Sequence, residues 1–149
     1  MRHILLDSSP LGLISRPARS PEVNAIVDWA TDSLAAGHEI YIPEIIYYEI
    51  RRELIRANKS ESLRRLEQLK ATLRYLPIDT ATMDLAAELW AKSRQAGLAT
   101  GDPKKLDIDV ILAAQALTLD VPDRDLIIAT ENAKHLSRFV PSDDWQNIR

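Results

Sequence analysis

Apolar residues along this chain fall into two patterns, short unbroken runs and stripes that recur every three or four positions. The runs "HILLD" (3–7), "EIYIP" (39–43), "RYLPID" (74–79) and "DLIIAT" (125–130) suit strands buried on both faces. Between them lie amphipathic stretches. From Glu22 to Ala36, Val23, Ile26, Val27, Ala30 and Leu34 share one helical face, and Gly37 is the expected stop. Residues 43–58 carry Ile46, Ile50 and Leu54 at four-residue spacing, with Pro43 expected at the first helical position. Residues 60–73 place Leu63, Leu66, Leu69 and Leu73 on a stripe behind Ser60, the expected cap.

Residues 80–97 predict another helix closed by glycine, 106–117 a largely buried one, and 131–139 a short last one. Residues 9–21, with three prolines and a glycine, read as loop or broken helix, and the polar stretch 98–106 reads as loop. Strands alternating with helices predict an α/β fold, a three-layer α/β/α sandwich around a central, mainly parallel sheet. Residues 1–149 read as a single domain, with no repeat or linker.

In such sheets the functional crevice lies at the carboxyl ends of the strands. That rule gives the acidic residues a meaning. Asp7 ends the first run, and Thr130, Glu131 and Asn132 follow the last. Asp107 and Asp109 open the 106–117 helix, whose N-terminus belongs on the same rim, and Glu49 sits among apolar neighbours in 43–58. Each has an ordinary explanation: Asp7 can close a loop, Asp107 can cap a helix, and Glu49 can pair with Arg52 or with the Glu53–Arg56 neighbours one turn on. Together they are harder to dismiss, because like charges at close range repel by roughly 4 kcal/mol per pair at an effective dielectric near 20. A hard divalent cation such as Mg²⁺ or Mn²⁺ removes that cost and needs only oxygen ligands.

Asp107 and Asp109 lie about 200° apart around a helix, so both cannot point into one cleft. The expectation is Asp109 as ligand, because it sits beside Val110 and Leu112, and Asp107 as N-cap in a supporting position.

Composition narrows the chemistry further. The chain has no cysteine, which excludes disulfides, zinc–thiolate sites and a cysteine nucleophile. His3, His38 and His135 lack ligand spacing. A net charge of −3 argues against nucleic-acid binding by bulk charge, so any such contact must use local patches. Arg51, Arg52, Arg56, Lys104 and Lys105 are the candidates for an RNA backbone, although solvated helix faces explain them equally well. An aspartate-nucleophile phosphatase would need an acid at position 9, where the chain has Ser9. No run approaches the ~20 apolar residues of a membrane span, and Asp7 comes too early for a signal peptide, so a cytoplasmic protein is expected.

The stretches "ILLDSSPLG" (4–12), "IPEIIYYEIRREL" (42–54), "LDIDVILAAQAL" (106–117) and "LIIATENAKHL" (126–136) resemble, in order and spacing, the PIN domains. The likeness is greatest to the VapC-type toxins of prokaryotic type II toxin–antitoxin pairs. The resemblance implies a metal-dependent endoribonuclease cleaving single-stranded RNA phosphodiesters, with Mg²⁺ or Mn²⁺. It implies Asp7, Glu49 and Asp109 as catalytic metal-site acids, with Asp107 sharing the metal or orienting its surroundings. It further implies a cognate antitoxin partner and a homodimer. The family often has an aspartate shortly after the threonine that follows the last core strand. Here the residues are Thr130-Glu131-Asn132, so either Glu131 or Asn132 takes the fourth position. Ser8 and Thr130 can hydrogen-bond a ligand carboxylate or the phosphate, or simply close strand-end turns. The rival reading is a non-catalytic PIN-like module that binds nucleic acid or protein.

Overall fold

Short apolar runs that cannot satisfy their backbone groups alone pair into a sheet. The computed structural model describes residues 1–97 and 103–149. Among these, five strands form one sheet in the order β3-β2-β1-β4-β5. They are β1 (His3–Leu6), β2 (Glu39–Pro43), β3 (Arg74–Leu76), β4 (Leu126–Ala129) and β5 (Ser142–Asp143). Every pairing is parallel. The expectation of a mainly parallel α/β sandwich therefore holds. Ile4, Leu5, Ile40, Ile42 and Ile128 are fully buried, as strands covered on both faces require.

Seven α-helices are described: α1 (Ser8–Ile14), α2 (Pro21–Ala35), α3 (Glu44–Arg56), α4 (Ser60–Thr72), α5 (Thr80–Gln95), α6 (Pro103–Leu117) and α7 (Ala133–Leu136). Connections between parallel strands are right-handed. The chain steps from β1 to β2 to β3 in one direction, then returns past β1 to β4 and β5 in the other, so the two sets of helices cover opposite faces. The direction reverses between β1 and β4, and a crevice opens there at the strands' carboxyl ends.

Several local expectations are corrected. Of the two readings of 9–21 the broken helix holds, with α2 starting at Pro21 and the earlier part lying in helix α1. Its Pro10 sits in the first turn, where a missing N–H costs nothing, and Asp7 caps it. Ser60 is the first residue of α4 rather than its cap; Lys59 holds the cap position and makes no side-chain bond. Pro43 ends β2 and stands just before α3, not at its first position. The third strand stops at Leu76, and the last helix spans only Ala133–Leu136. Strand β5 was not anticipated: two half-buried polar residues, Ser142 and Asp143, give no apolar signal. Of the expected loop 98–106, residues 98–102 lie outside the described residues, and 103–106 belong to α6. Gly37 ends α2 as expected, at a φ of 90° that side chains rarely adopt.

One buried side chain ties three elements together. Gln115 on α6 is wholly buried; its Oε1 accepts the Ile45 N–H (3.2 Å) at the start of α3, and its Nε2 donates to the Leu76 carbonyl (2.7 Å) at the end of β3. This fixes the first turn of α3, and hence the approach of Glu49 one turn later, relative to α6.

Candidate active site

Asp7 is the anchor of the crevice. Its N–H donates to the Ala129 carbonyl (3.0 Å), carrying the β1–β4 ladder one residue past β1. Its side chain is then committed on both oxygens. Oδ1 accepts the Ser8 N–H (2.7 Å) as the cap of α1, and Oδ2 accepts the Thr130 hydroxyl (2.6 Å). Thr130 Oγ1 in turn accepts the Asn132 N–H (2.9 Å), so one hydroxyl orders both the carboxylate and the turn after β4. Asp7 is 8% exposed and Thr130 is buried.

Two more carboxylates meet Asp7. Glu49 projects from α3, and the Ser8 side chain beside it favours its charged form. Burial, and then the charge of Asp7, push its carboxyl above the ordinary range, against the pull of Arg52 and Lys105. Asp109 projects from α6. Burial first and Asp7 second raise it from 3.8 to about 6, opposed by Lys105 and Arg138. With Ser8, Thr130, Glu131 and Asn132, the three acids line one cleft of about 110 Å³. Residues 7, 49 and 109 are far apart in the chain, and the sheet order brings them to one rim.

The donor set fits a hard divalent cation: every polar atom that the three acids offer is an oxygen, the charge of Asp7 disfavours that of both Glu49 and Asp109, and histidine is absent from the described lining. The cage is not ready-made, since no group of three acidic or histidine side chains among the described residues is drawn tightly enough to hold an ion.

The remaining predicted residues separate. Asp107 is exposed and outside the cleft, and it does not cap α6, which begins four residues earlier at Pro103. Lys105 lines the cleft and Lys104 is exposed on the same turn. Arg52 lies over the Tyr48 ring, with its charge felt by Glu49. Arg51 turns toward α4 instead, bonded to Glu67 and Tyr47, and Arg56 pairs with Glu53. His3 bonds Tyr41 (2.7 Å) and His38 accepts the Arg2 N–H (2.9 Å), both away from the cleft.

Three residues escaped the sequence reading. Ser9 and Ile108 line the cleft, and the Ser9 hydroxyl is buried without a hydrogen-bond partner. Arg138 faces Asp109 electrostatically from beyond α7. The repeated serine after Asp7 was the only available signal for Ser9; nothing local marks Arg138.

Comparison with known proteins agrees with this architecture. The family model described as "PIN domain" matches residues 4–138. No curated protein matches the sequence. Among solved structures, VapBC2 from Rickettsia felis, bound to a DNA fragment from their promoter, is similar with a TM-score of 0.72 at 17% identity, covering 96% of this chain and 98% of that chain. VapBC-1 from nontypeable Haemophilus influenzae gives 0.70 at 16%, covering 97% and 99%. FitAcB from Neisseria gonorrhoeae gives 0.69 at 19%, with the same coverage. At such identities the likeness is one of fold. With the match to the family model spanning nearly the whole sequence, the chain belongs to the PIN-domain family.

Proposed function

We propose that this protein is a metal-dependent endoribonuclease that cleaves phosphodiesters of single-stranded RNA, acting in the cytoplasm as the toxin of a type II toxin–antitoxin pair. The observation that carries the proposal is the meeting of Asp7, Glu49 and Asp109 in one cleft, with Asp7 raising the proton affinity of both others. Such mutual repulsion has a use if a cation occupies the cleft. The fold neighbours include VapBC2 and VapBC-1, which supports a cognate antitoxin as partner. No described helix is long and apolar enough to cross a membrane.

Asp7, Glu49 and Asp109 would hold Mg²⁺ or Mn²⁺, with Glu131 or Asn132 at the fourth position. When bound, the ion supplies Lewis-acid polarisation of the phosphate and a more acidic water. The chain supplies the rest. Thr130 and the Ser8 N–H hold Asp7 in one rotamer, so that carboxylate needs no reordering. The Ser8 side chain favours the charged form of Glu49. Lys105 and Arg52 place positive charge where a phosphate backbone would approach. An antitoxin arginine reaching Glu49 or Asp109 would form a charge-assisted pair and close the cleft to RNA, and a homodimer would set two clefts in one particle.

The non-catalytic reading draws on the absence of a tight three-ligand group among the described residues. Melting and cleavage assays decide between the two. The nuclease reading expects Mn²⁺ to raise the melting temperature in a dose-dependent way and RNA cleavage to stop in EDTA. No Mn²⁺ response and no cleavage would establish the binding module, and cleavage that survives EDTA would remove the metal mechanism.

A further inference from the structure

Tyr48 precedes Glu49 on α3 and is 53% exposed, an unusual place for an aromatic ring. Among the exposed large hydrophobic side chains described, it alone adjoins a cleft-lining residue in the chain. Arg52 joins the two. It stands three residues from Glu49 and four from Tyr48, the spacings at which helical side chains meet. Its guanidinium lies 5.0 Å from the Tyr48 ring centroid, Nη1 is 3.4 Å from the phenolic oxygen, and its charge reaches the Glu49 carboxyl. Glu49 itself shares the cleft with Asp7 and feels its charge. Arg52 thus lies between the acidic cleft, whose Glu49 feels its charge, and an exposed aromatic face on which it is stacked.

We propose that Tyr48 and Arg52 form a nucleobase-stacking subsite, which holds a base flanking the scissile phosphate of single-stranded RNA. Unpaired bases bind proteins by stacking on aromatic rings and guanidinium planes, and a ring already ordered by a stacked arginine loses little side-chain entropy when a base arrives. Arg52 answers the negative backbone beside that base, which an acidic protein needs locally. Stacking tolerates any base, so the subsite would position the strand more than it reads sequence. The inference rests on the ribonuclease reading of the cleft.

Fluorescence polarisation of a labelled short single-stranded RNA, with Ca²⁺ replacing Mg²⁺ to hold back cleavage, tests it on the full-length protein. Tyr48→Ala should weaken binding about 5- to 100-fold, while Tyr48→Phe stays near wild type because the ring remains. An abasic site at one RNA position should weaken the wild type by a similar factor and add little to Tyr48→Ala. Equal binding by Tyr48→Ala, or fully additive losses at every abasic position, overturns the subsite and leaves the ribonuclease reading standing. A change in sedimented mass on Tyr48→Ala overturns it in favour of a contact between two copies. Failure of the wild type to bind RNA removes both readings together.

Discussion

Replacing Asp109 by asparagine keeps the size and shape of the side chain and removes the charge. The carboxyl of Asp109 is raised to about 6 from 3.8, chiefly by burial and by Asp7. Between those two pH values the unfolded chain has released this proton and the folded one still holds it, so folding stability falls as pH rises through the window. Above about 6 the full cost is present, about 3 kcal/mol if the whole difference counts. The cleft opens to solvent, and Lys105 and Arg138 offset part of the charge, so roughly 1–2 kcal/mol is the better expectation. In EDTA at pH 7.5, Asp109→Asn should therefore melt about 3–6 °C higher than wild type, and the gain should shrink toward zero near pH 4. Saturating Mn²⁺ should reverse the order, because a cation at a hundredfold excess over its dissociation constant adds about 2.7 kcal/mol to the wild type and little to the variant. Differential scanning fluorimetry across pH 4–8, with and without Mn²⁺, reads all of this. The exposed Asp107→Asn, whose side chain lies outside the cleft, is the control and should track wild type throughout. An Asp109→Asn protein that melts at or below wild type in EDTA at pH 7.5 would mean that the carboxylate is satisfied by its cationic neighbours and carries no penalty.

The contact between Thr130 and Asp7 should matter to both stability and metal response. Thr130→Val removes the hydroxyl from a nearly buried carboxylate and from the Asn132 N–H, costing about 1–3 kcal/mol by urea denaturation, and Thr130→Ser should restore most of it. Gln115→Leu keeps the volume but leaves the Ile45 N–H and the Leu76 carbonyl without their partner; a loss of about 2–4 kcal/mol in the same assay is expected, and less than 1 kcal/mol would show that those groups find other partners.

Much of this fold is written in local pattern. "HILL" and "EIYIP" are apolar on every residue or nearly so because both sheet faces are covered, and the stripe Val23, Ile26, Ala30 is legible because one helical face must be buried. Asp7, Glu49 and Asp109 could be singled out from the sequence because a carboxylate next to apolar neighbours is costly without a reason. That Asp107 and Asp109 cannot share one direction follows from helical geometry, and the apolar neighbours Val110 and Leu112 favoured Asp109. What local pattern could not decide is whatever depends on contacts between distant segments. Helix α1 runs only from Ser8 to Ile14 with Asp7 as its cap, and that same carboxylate is held by Thr130, 123 residues away. Strand β5 exists because β4 offers an edge to two polar residues that would not pair otherwise. Asp107 lost its expected cap because α6 starts at Pro103, and Arg51 left the cleft for Glu67 on the neighbouring helix. Backbone periodicity is a property of neighbouring residues and is visible in one dimension. The convergence of three acids on one rim depends on the order in which the strands pair, and only the folded sheet sets that order.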